Sequence, residues 1–320
     1  MSSAEVVTTL GGLAHTAAHP AADNGCGCPP PRVLADRPDG TVVRSGKTVA
    51  KAHAPGTGGP EFAARLALAA APALAGVLLP PVPVPHPLPR AEGRPVTLWP
   101  YGEPVDPADP EAAPWEEAAD LLARLHRTAP PVPLPPMRGP AKAALAVARM
   151  RAAHPVGPGR AEVLAAWATL PGWARDEAPA PPGRAGFLCH GDLHLGQLVR
   201  HPAPHGRWLL IDIDDTGTGD PAWDLARPAA WHAAGLLPDT VWRRFLDAYR
   251  AAGGPAVRAA GDPWPELDVP ARALTVQTAA LALAKAAEEG RELDEVERLM
   301  TDACARIASL PPELAPPRTS

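Results

Sequence analysis

No lysine- or arginine-rich block occurs in this chain, whose formal net charge is −5. A protein that grips nucleic acid by neutralising phosphates needs such blocks, so nucleic acid is not an expected partner. Also missing is a basic N-terminal segment followed by an apolar one. The longest apolar run, AARLALAAAPALAGVLLPPVPV, is broken by Arg65, Pro72 and Pro80 short of a membrane span. The expectation is a cytoplasmic protein with no membrane partner. Cysteine is scarce: there are four, at positions 26, 28, 189 and 304. They imply no disulfide framework, and Cys26-x-Cys28, without a second Cys/His pair at zinc-ligand spacing, is read as incidental. No internal repeat is visible.

Proline and glycine are abundant instead, 45 and 28 of 320 residues, near the level at which low-complexity disorder must be weighed. The prolines cluster in PPPR, PPVPVPHPLP, PPVPLPP and APAPPG, between segments rich in Ala and Leu. They punctuate a folded chain. Residues 1–32 show little periodicity and are expected to form a loosely ordered arm with at most one short helix. From 33 to 102, turn pairs such as RPDG and RSGK separate short runs of β-formers, which predicts an antiparallel meander, then a helix around Phe62 and a further strand in PVTLWPYG. From 103 to 320 the pattern is mainly helical. The segment WEEAADLLARLH carries Trp115, Ala119, Leu122 and Leu125 on one stripe, with acids in its first turn and basic residues near its end. Further helices are expected at 141–152 and 160–175, and short strands in GFLCH and RWLLIDI. The fold class is therefore α+β and bilobal, a small β-rich lobe followed by a larger α-helical one.

The chemistry-bearing stretch is FLCHGDLHLGQLVR followed by LLIDIDD. Its spacing matches His-x-Asp-x-x-x-x-Asn of kinase catalytic loops, with Gln197 in place of the final Asn, and Asp212 fifteen residues later. Phosphoryl transfer asks for a metal between donor phosphates, a cation on them, and a carboxylate that takes the acceptor's proton. CHGDLHLGQLV with LLIDIDDTGTGDPAWDLAR resembles the aminoglycoside phosphotransferase-like family of small-molecule kinases, which includes choline kinases. The HLGQ form is similar to the loop of its maltokinase and glucosamine kinase-like members.

That resemblance implies a protein-kinase-like fold, ATP and Mg²⁺ as cofactors, and a small-molecule acceptor. It implies Asp192 as catalytic base, His190 as a brace of the loop, Gln197 and Asp212 as metal ligands, Lys51 on the phosphates and Glu61 as the ion-pair partner of Lys51. Backbone atoms around Leu98, Trp99 and Tyr101 would face the adenine. Gln presents the same amide oxygen as Asn, displaced by one methylene, so the loop must be set back to suit an octahedral Mg²⁺. Residues 212–224 hold five Asp and no Lys or Arg. Asp214 and Asp215, beside the metal acid, are candidate substrate contacts with Asp192. An acidic surround favours an amine. The expected acceptor is an amino sugar or sugar, with an aminoglycoside antibiotic as alternative; a non-catalytic nucleotide-binding regulator is the alternative of a different class. The protein is expected to be a monomer or homodimer.

Overall fold

The computed structural model describes residues 3–19, 27–37, 39–84, 87–109, 112–154 and 159–310. Cys26, Pro38 of the RPDG turn and the last ten residues lie outside them. In chain order the elements are α1 (Ser3–Ala18), β1 (Arg32–Arg37), β2 (Gly40–Ser45), β3 (Thr48–His53), α2 (Gly59–Ala69), β4 (Arg90–Ala91), β5 (Arg94–Pro100), β6 (Glu103–Pro104), α3 (Trp115–Arg127), α4 (Gly139–Ala153) and α5 (Arg160–Thr169). There follow β7 (Phe187–Cys189), β8 (Leu198–His201), β9 (Arg207–Leu210), β10 (Gly217–Gly219), α6 (Ala222–Ala233), α7 (Asp239–Ala251), α8 (Trp264–Glu289) and α9 (Glu295–Ala308).

The chain divides into two compact units. The first comprises residues 1–113, 131–134 and 196–214; the second comprises 114–130, 135–195 and 215–320. The sequence reading drew one boundary after residue 102. The division is discontinuous because β8 pairs with β6 and β9, which draws the segment after the catalytic loop into the first unit.

The first unit carries an antiparallel five-stranded sheet in the order β1-β2-β3-β5-β4 and a three-stranded sheet β6-β8-β9. The loosely ordered arm expected at its start is instead a sixteen-residue helix. Val6, Leu10 and Ala14 recur at helical spacing and are buried with Val43, Ala50, Ala52, Val96 and Leu98, so α1 covers the sheet. The adjacent Gly11 and Gly12 and the three threonines lower its intrinsic propensity, and burial of that stripe overrides them.

The second unit is helical, with α4 and α6 packed on the long α8 and α3 on α7. Its small sheet joins β7 to β10. The strands expected in GFLCH and RWLLIDI are β7, which pairs with β10, and β9, which pairs with β8. No helix among the described residues is long and apolar enough to cross a membrane.

Candidate active site

Lys51 stands on β3, the central strand of the five-stranded sheet. Its ammonium contacts Asp212 Oδ1 at 2.8 Å and Asp214 Oδ2 at 2.9 Å. Burial alone would lower the Lys51 pKa, but the two carboxylates more than offset it and hold the group above its ordinary value. His53 lies two residues on, where strand alternation returns a side chain to the same face. It is fully buried. Its Nδ1 lies 2.9 Å from Asp214 Oδ1 and its Nε2 2.8 Å from Thr97 Oγ1, and Trp99 Nε1 donates to the same hydroxyl at 2.8 Å.

Indole N–H is only a donor, so the Thr97 hydroxyl accepts from Trp99 while it shares a hydrogen bond with His53 Nε2. An ionised carboxylate only accepts, so His53 donates from Nδ1 to Asp214. Burial pushes the Asp214 carboxyl up, but the His53 hydrogen bond and Lys51 hold it well below the carboxylate range. Arg94 fixes the end of β3 by donating to the carbonyls of Ala52 at 2.9 Å and His53 at 2.6 Å.

Glu61 was expected to hold Lys51. It is exposed in the first turn of α2 instead. The helix seats itself through Phe62, whose ring meets His53 edge-on at 4.7 Å between centroids. A helix turns about 100° per residue, so burying Phe62 swings its neighbour Glu61 outward. Asp214 takes the place Glu61 was to fill.

Asp212 has φ 65°, a left-handed conformation that is strained for any residue but glycine and cheapest for Asn and Asp. Gln197 closes a single 3₁₀ turn, is 8% exposed, and its carbonyl accepts the N–H of Ile211 at 2.9 Å. That bond sets Gln197 beside the residue preceding Asp212. The pair offers a carboxylate and an amide oxygen, hard donors that fit a hard divalent cation.

The strand expected to face adenine is largely committed within the unit. The Leu98 carbonyl accepts the Val82 N–H at 2.8 Å, and the Tyr101 N–H donates to Lys47 O at 2.8 Å. The Tyr101 carbonyl accepts from His201 at 3.2 Å, and the Trp99 indole is spent on Thr97.

Asp192 belongs to the second unit. Arg227 Nη2 reaches its Oδ1 at 2.8 Å and Lys142 Nζ the same oxygen at 3.3 Å. Burial pushes the Asp192 carboxyl up, but Lys142 and Arg227 more than offset this and hold it below its ordinary value, so it is ionised at neutral pH. Lys142 also pairs with Asp215 at 2.8 Å, and Arg227 donates to Leu193 O at 3.0 Å.

The loop itself hangs on Asp224, a fully buried acid whose oxygens accept the N–H of His190 at 2.6 Å and of Gly191 at 2.7 Å. His126 holds Asp224 from behind at 2.9 Å and is itself 2.7 Å from the Tyr249 hydroxyl. His126, Cys189 and Asp224 lie within 4.8 Å of one another. With the carboxylate already taking three donors, they form a brace and not a metal site. His190 thus braces the loop through its backbone. Gly191 has φ 83°, and a Cβ there would stand 2.3 Å from Asp215 O, so no side chain fits.

A small pocket opens on Asp192, walled by Lys142, Arg227, Trp223, Leu274 and Gln277. Gly139, at the start of α4, lets Trp223 close over that helix, for a Cβ there would lie 2.6 Å from the indole. The five acids of 212–224 do not make this wall acidic. Asp212 and Asp214 face Lys51, Asp215 faces Lys142, Asp220 pairs with Arg184 at 2.8 Å, and Asp224 holds the loop.

Sequence reasoning missed Lys142, Arg227 and His53 as site residues. Arg227 stands inside the quoted DLAR and His53 shares a strand face with Lys51. Lys142, alone in an Ala-rich helix, carries no such signal.

A family model described as the phosphotransferase enzyme family matches residues 39–264, more than half of the chain. The chain belongs to that family. It is a small-molecule kinase, a phosphotransferase with a hydroxyl acceptor. No curated protein matches the sequence. Among solved structures it is similar to a choline/ethanolamine kinase family protein from Mesorhizobium loti, at 16% identity over 92% of each chain with a TM-score of 0.54. Choline kinase LicA from Streptococcus pneumoniae is similar at 15% identity, covering 88% of this chain and 94% of that one, with a TM-score of 0.56. Amicoumacin kinase hAmiN, solved in complex with AMP-PNP, Ca²⁺ and Ami, matches at 16% identity over 88% and 89% of the two chains, with a TM-score of 0.60. The α+β, protein-kinase-like fold of this phosphotransferase is the one those kinases share.

Proposed function

We propose that this phosphotransferase moves the γ-phosphoryl group of ATP to a hydroxyl of a sugar or amino sugar, in the cytoplasm. The observation that carries the reading is the Asp192 carboxylate, held through Oδ1 by Arg227 and Lys142 at the wall of the pocket. An acceptor hydroxyl gives its proton to Oδ2 as its oxygen bonds to the γ-phosphorus and the bond to the leaving ADP breaks. ATP and a divalent cation, Mg²⁺ by the hardness of the donors, are the cofactors. Gln197 and Asp212 would hold the cation, which when bound neutralises phosphate charge. Lys51 supplies a further positive charge for the phosphates, and Asp214, oriented by His53, aims it.

Asp214 and Glu61 separate cleanly as a test. Asp214→Asn is expected to raise the KM for ATP and lower kcat, each about tenfold, a combined loss in kcat/KM of roughly 2.7 kcal/mol, within the range for a hydrogen bond to a charged group. Glu61→Gln should change neither. Steady-state kinetics in ATP decides, and a larger effect at Glu61 would return the role to α2.

The wall of the acceptor cavity favours oxygen-rich molecules over amines. Lys142 and Arg227 are donors without acceptor capacity, Gln277 adds both, and Trp223 offers an aromatic face. Sugar hydroxyls answer this set, and the Asp192 and Asp215 carboxylates that would draw an amine are already paired with Lys142 and Arg227. The experiment is acceptor-dependent ADP release with glucose, maltose, glucosamine, several aminoglycosides and choline. The highest kcat/KM is expected for a sugar, with glucosamine within its range and multiply charged aminoglycosides at least about tenfold lower. An aminoglycoside or choline as best acceptor would overturn the sugar assignment. Mg²⁺-dependent ATP binding with no turnover on any acceptor would favour the regulator.

A further inference from the structure

Gln277 stands in the middle of α8, on a stretch of that helix that is otherwise apolar. Ala273, Leu274, Val276, Ala279, Ala280 and Leu283 around it are buried, and the Thr275 hydroxyl turns back to Ala271 O at 2.9 Å. Gln277 is only 7% exposed, yet its side-chain amide makes no hydrogen bond to any of the described residues. A buried amide without a partner costs stability, so its presence calls for a reason.

The surroundings supply one. Gln277 lines the pocket that opens on Asp192, with Leu274 one turn back on the same face of α8. The charged side chains of that wall are already engaged. Lys142 pairs with Asp192 and Asp215, and Arg227 with Asp192 and Leu193 O. The Gln277 amide is not engaged, and it brings two donors and an accepting oxygen to the pocket.

We propose that the Gln277 amide holds the acceptor by a hydroxyl adjacent to the one that is phosphorylated, and so selects which hydroxyl meets Asp192. The inference rests on the reading of Asp192 as the base. A hydroxyl answers a carboxamide on both sides, since each can donate and accept. The pocket is small, so the oxygens that reach Asp192 and Gln277 belong to neighbouring carbons of one molecule. Trp223 and Leu274 give the carbon skeleton an apolar surface to rest on. The acceptor class is therefore a vicinal diol. Sugars belong to it, whereas choline, with one hydroxyl, does not.

The test is a cycle between enzyme and substrate. Gln277→Met keeps the length of the side chain and removes its hydrogen bonds. Wild type and variant are assayed on glucose and on its 1-, 2-, 3-, 4- and 6-deoxy analogues. The analogue that is inert with both enzymes marks the phosphorylated hydroxyl. Loss of the hydroxyl next to it is expected to lower kcat/KM about tenfold in wild type and less than about twofold in Gln277→Met. On glucose itself the variant should lose about tenfold in kcat/KM with the KM for ATP unchanged. Its thermal midpoint should equal or exceed that of wild type, because removing an unpaired amide strands no partner. Gln277→Asn, which withdraws the amide by one methylene, should fall between the two on glucose. A variant as active as wild type would overturn the proposal. So would one that loses the same factor on every analogue, or a coupled hydroxyl that is not adjacent to the inert position. Wild-type rates judge the sugar assignment separately. Should an aminoglycoside be the best acceptor, that assignment falls and Gln277→Met is read on the aminoglycoside: an unchanged acceptor KM there overturns this inference, and a rise of about tenfold upholds it.

Discussion

Asp192→Asn is expected to lower kcat by about 10²- to 10⁴-fold, the range for loss of a positioned proton acceptor. The KM for ATP should hold, because the substitution removes an interaction made with the acceptor in the transition state. Asn keeps the shape of the side chain and loses the charge. The two cations are not stranded by the change. Lys142 retains Asp215 at 2.8 Å, and Arg227 retains Leu193 O at 3.0 Å. The loop also keeps its suspension, since Asp224 binds the backbone N–H groups of His190 and Gly191 whatever residue stands at 192. The loss should therefore appear in turnover and not in folding, read by circular dichroism beside the rate assay. A variant within tenfold of wild type would remove Asp192 from the role of base.

Asp212→Asn should cost a comparable amount by a different route. Stabilisation by a bound divalent cation is worth several kcal/mol in phosphoryl transfer, so a loss of roughly 4 kcal/mol, about 10³-fold in kcat, is expected when its carboxylate ligand is neutralised. The variant isolates charge from backbone. Asn tolerates the left-handed conformation at φ 65° as readily as Asp, so the turn is preserved. Lys51 still has Asp214 at 2.9 Å. The signature is a rise in the Mg²⁺ concentration needed for half-maximal rate, measured with ATP saturating. A fall in kcat with unchanged metal dependence would show that Asp212 serves Lys51 alone.

The two acids thus sit in different charge environments. Asp192, the base in the proposed reading, is held below its ordinary pKa by Lys142 and Arg227, against the upward push of burial. A weakly basic carboxylate suits an acceptor whose proton leaves only as the bond to phosphorus forms. The same cations shape the acceptor cavity. On the reading proposed above, an amine meets no unpaired carboxylate among the five acids of 212–224. Counting charges along a chain measures composition, while a ligand meets only those carboxylates that no neighbouring cation has already taken.

Short-range pattern was legible without the structure. The stripe of Trp115, Ala119, Leu122 and Leu125 became α3, the alternating runs around RSGK became β2 and β3, and HGDLHLGQ with LLIDID led to the family. Each depends on neighbours within one or two turns. Elements whose stability comes from elsewhere were harder to see. β8 is four residues long and exists because β6 and β9 pair with it; α1 forms because its stripe is buried on the sheet.

The sequence by itself determined the family, the α+β class and the order of the loop bearing Asp192, Gln197 and Asp212. Local spacing encodes those. Tertiary structure alone decided what each charge meets: Lys51 finds Asp212 across 161 positions of chain, Lys142 finds Asp215 across 73, and Glu61, the nearer candidate, is turned to solvent. The physical reason is that an ion pair forms wherever folding brings two side chains within a few ångströms, and hydrophobic burial, which ignores charge, makes that placement.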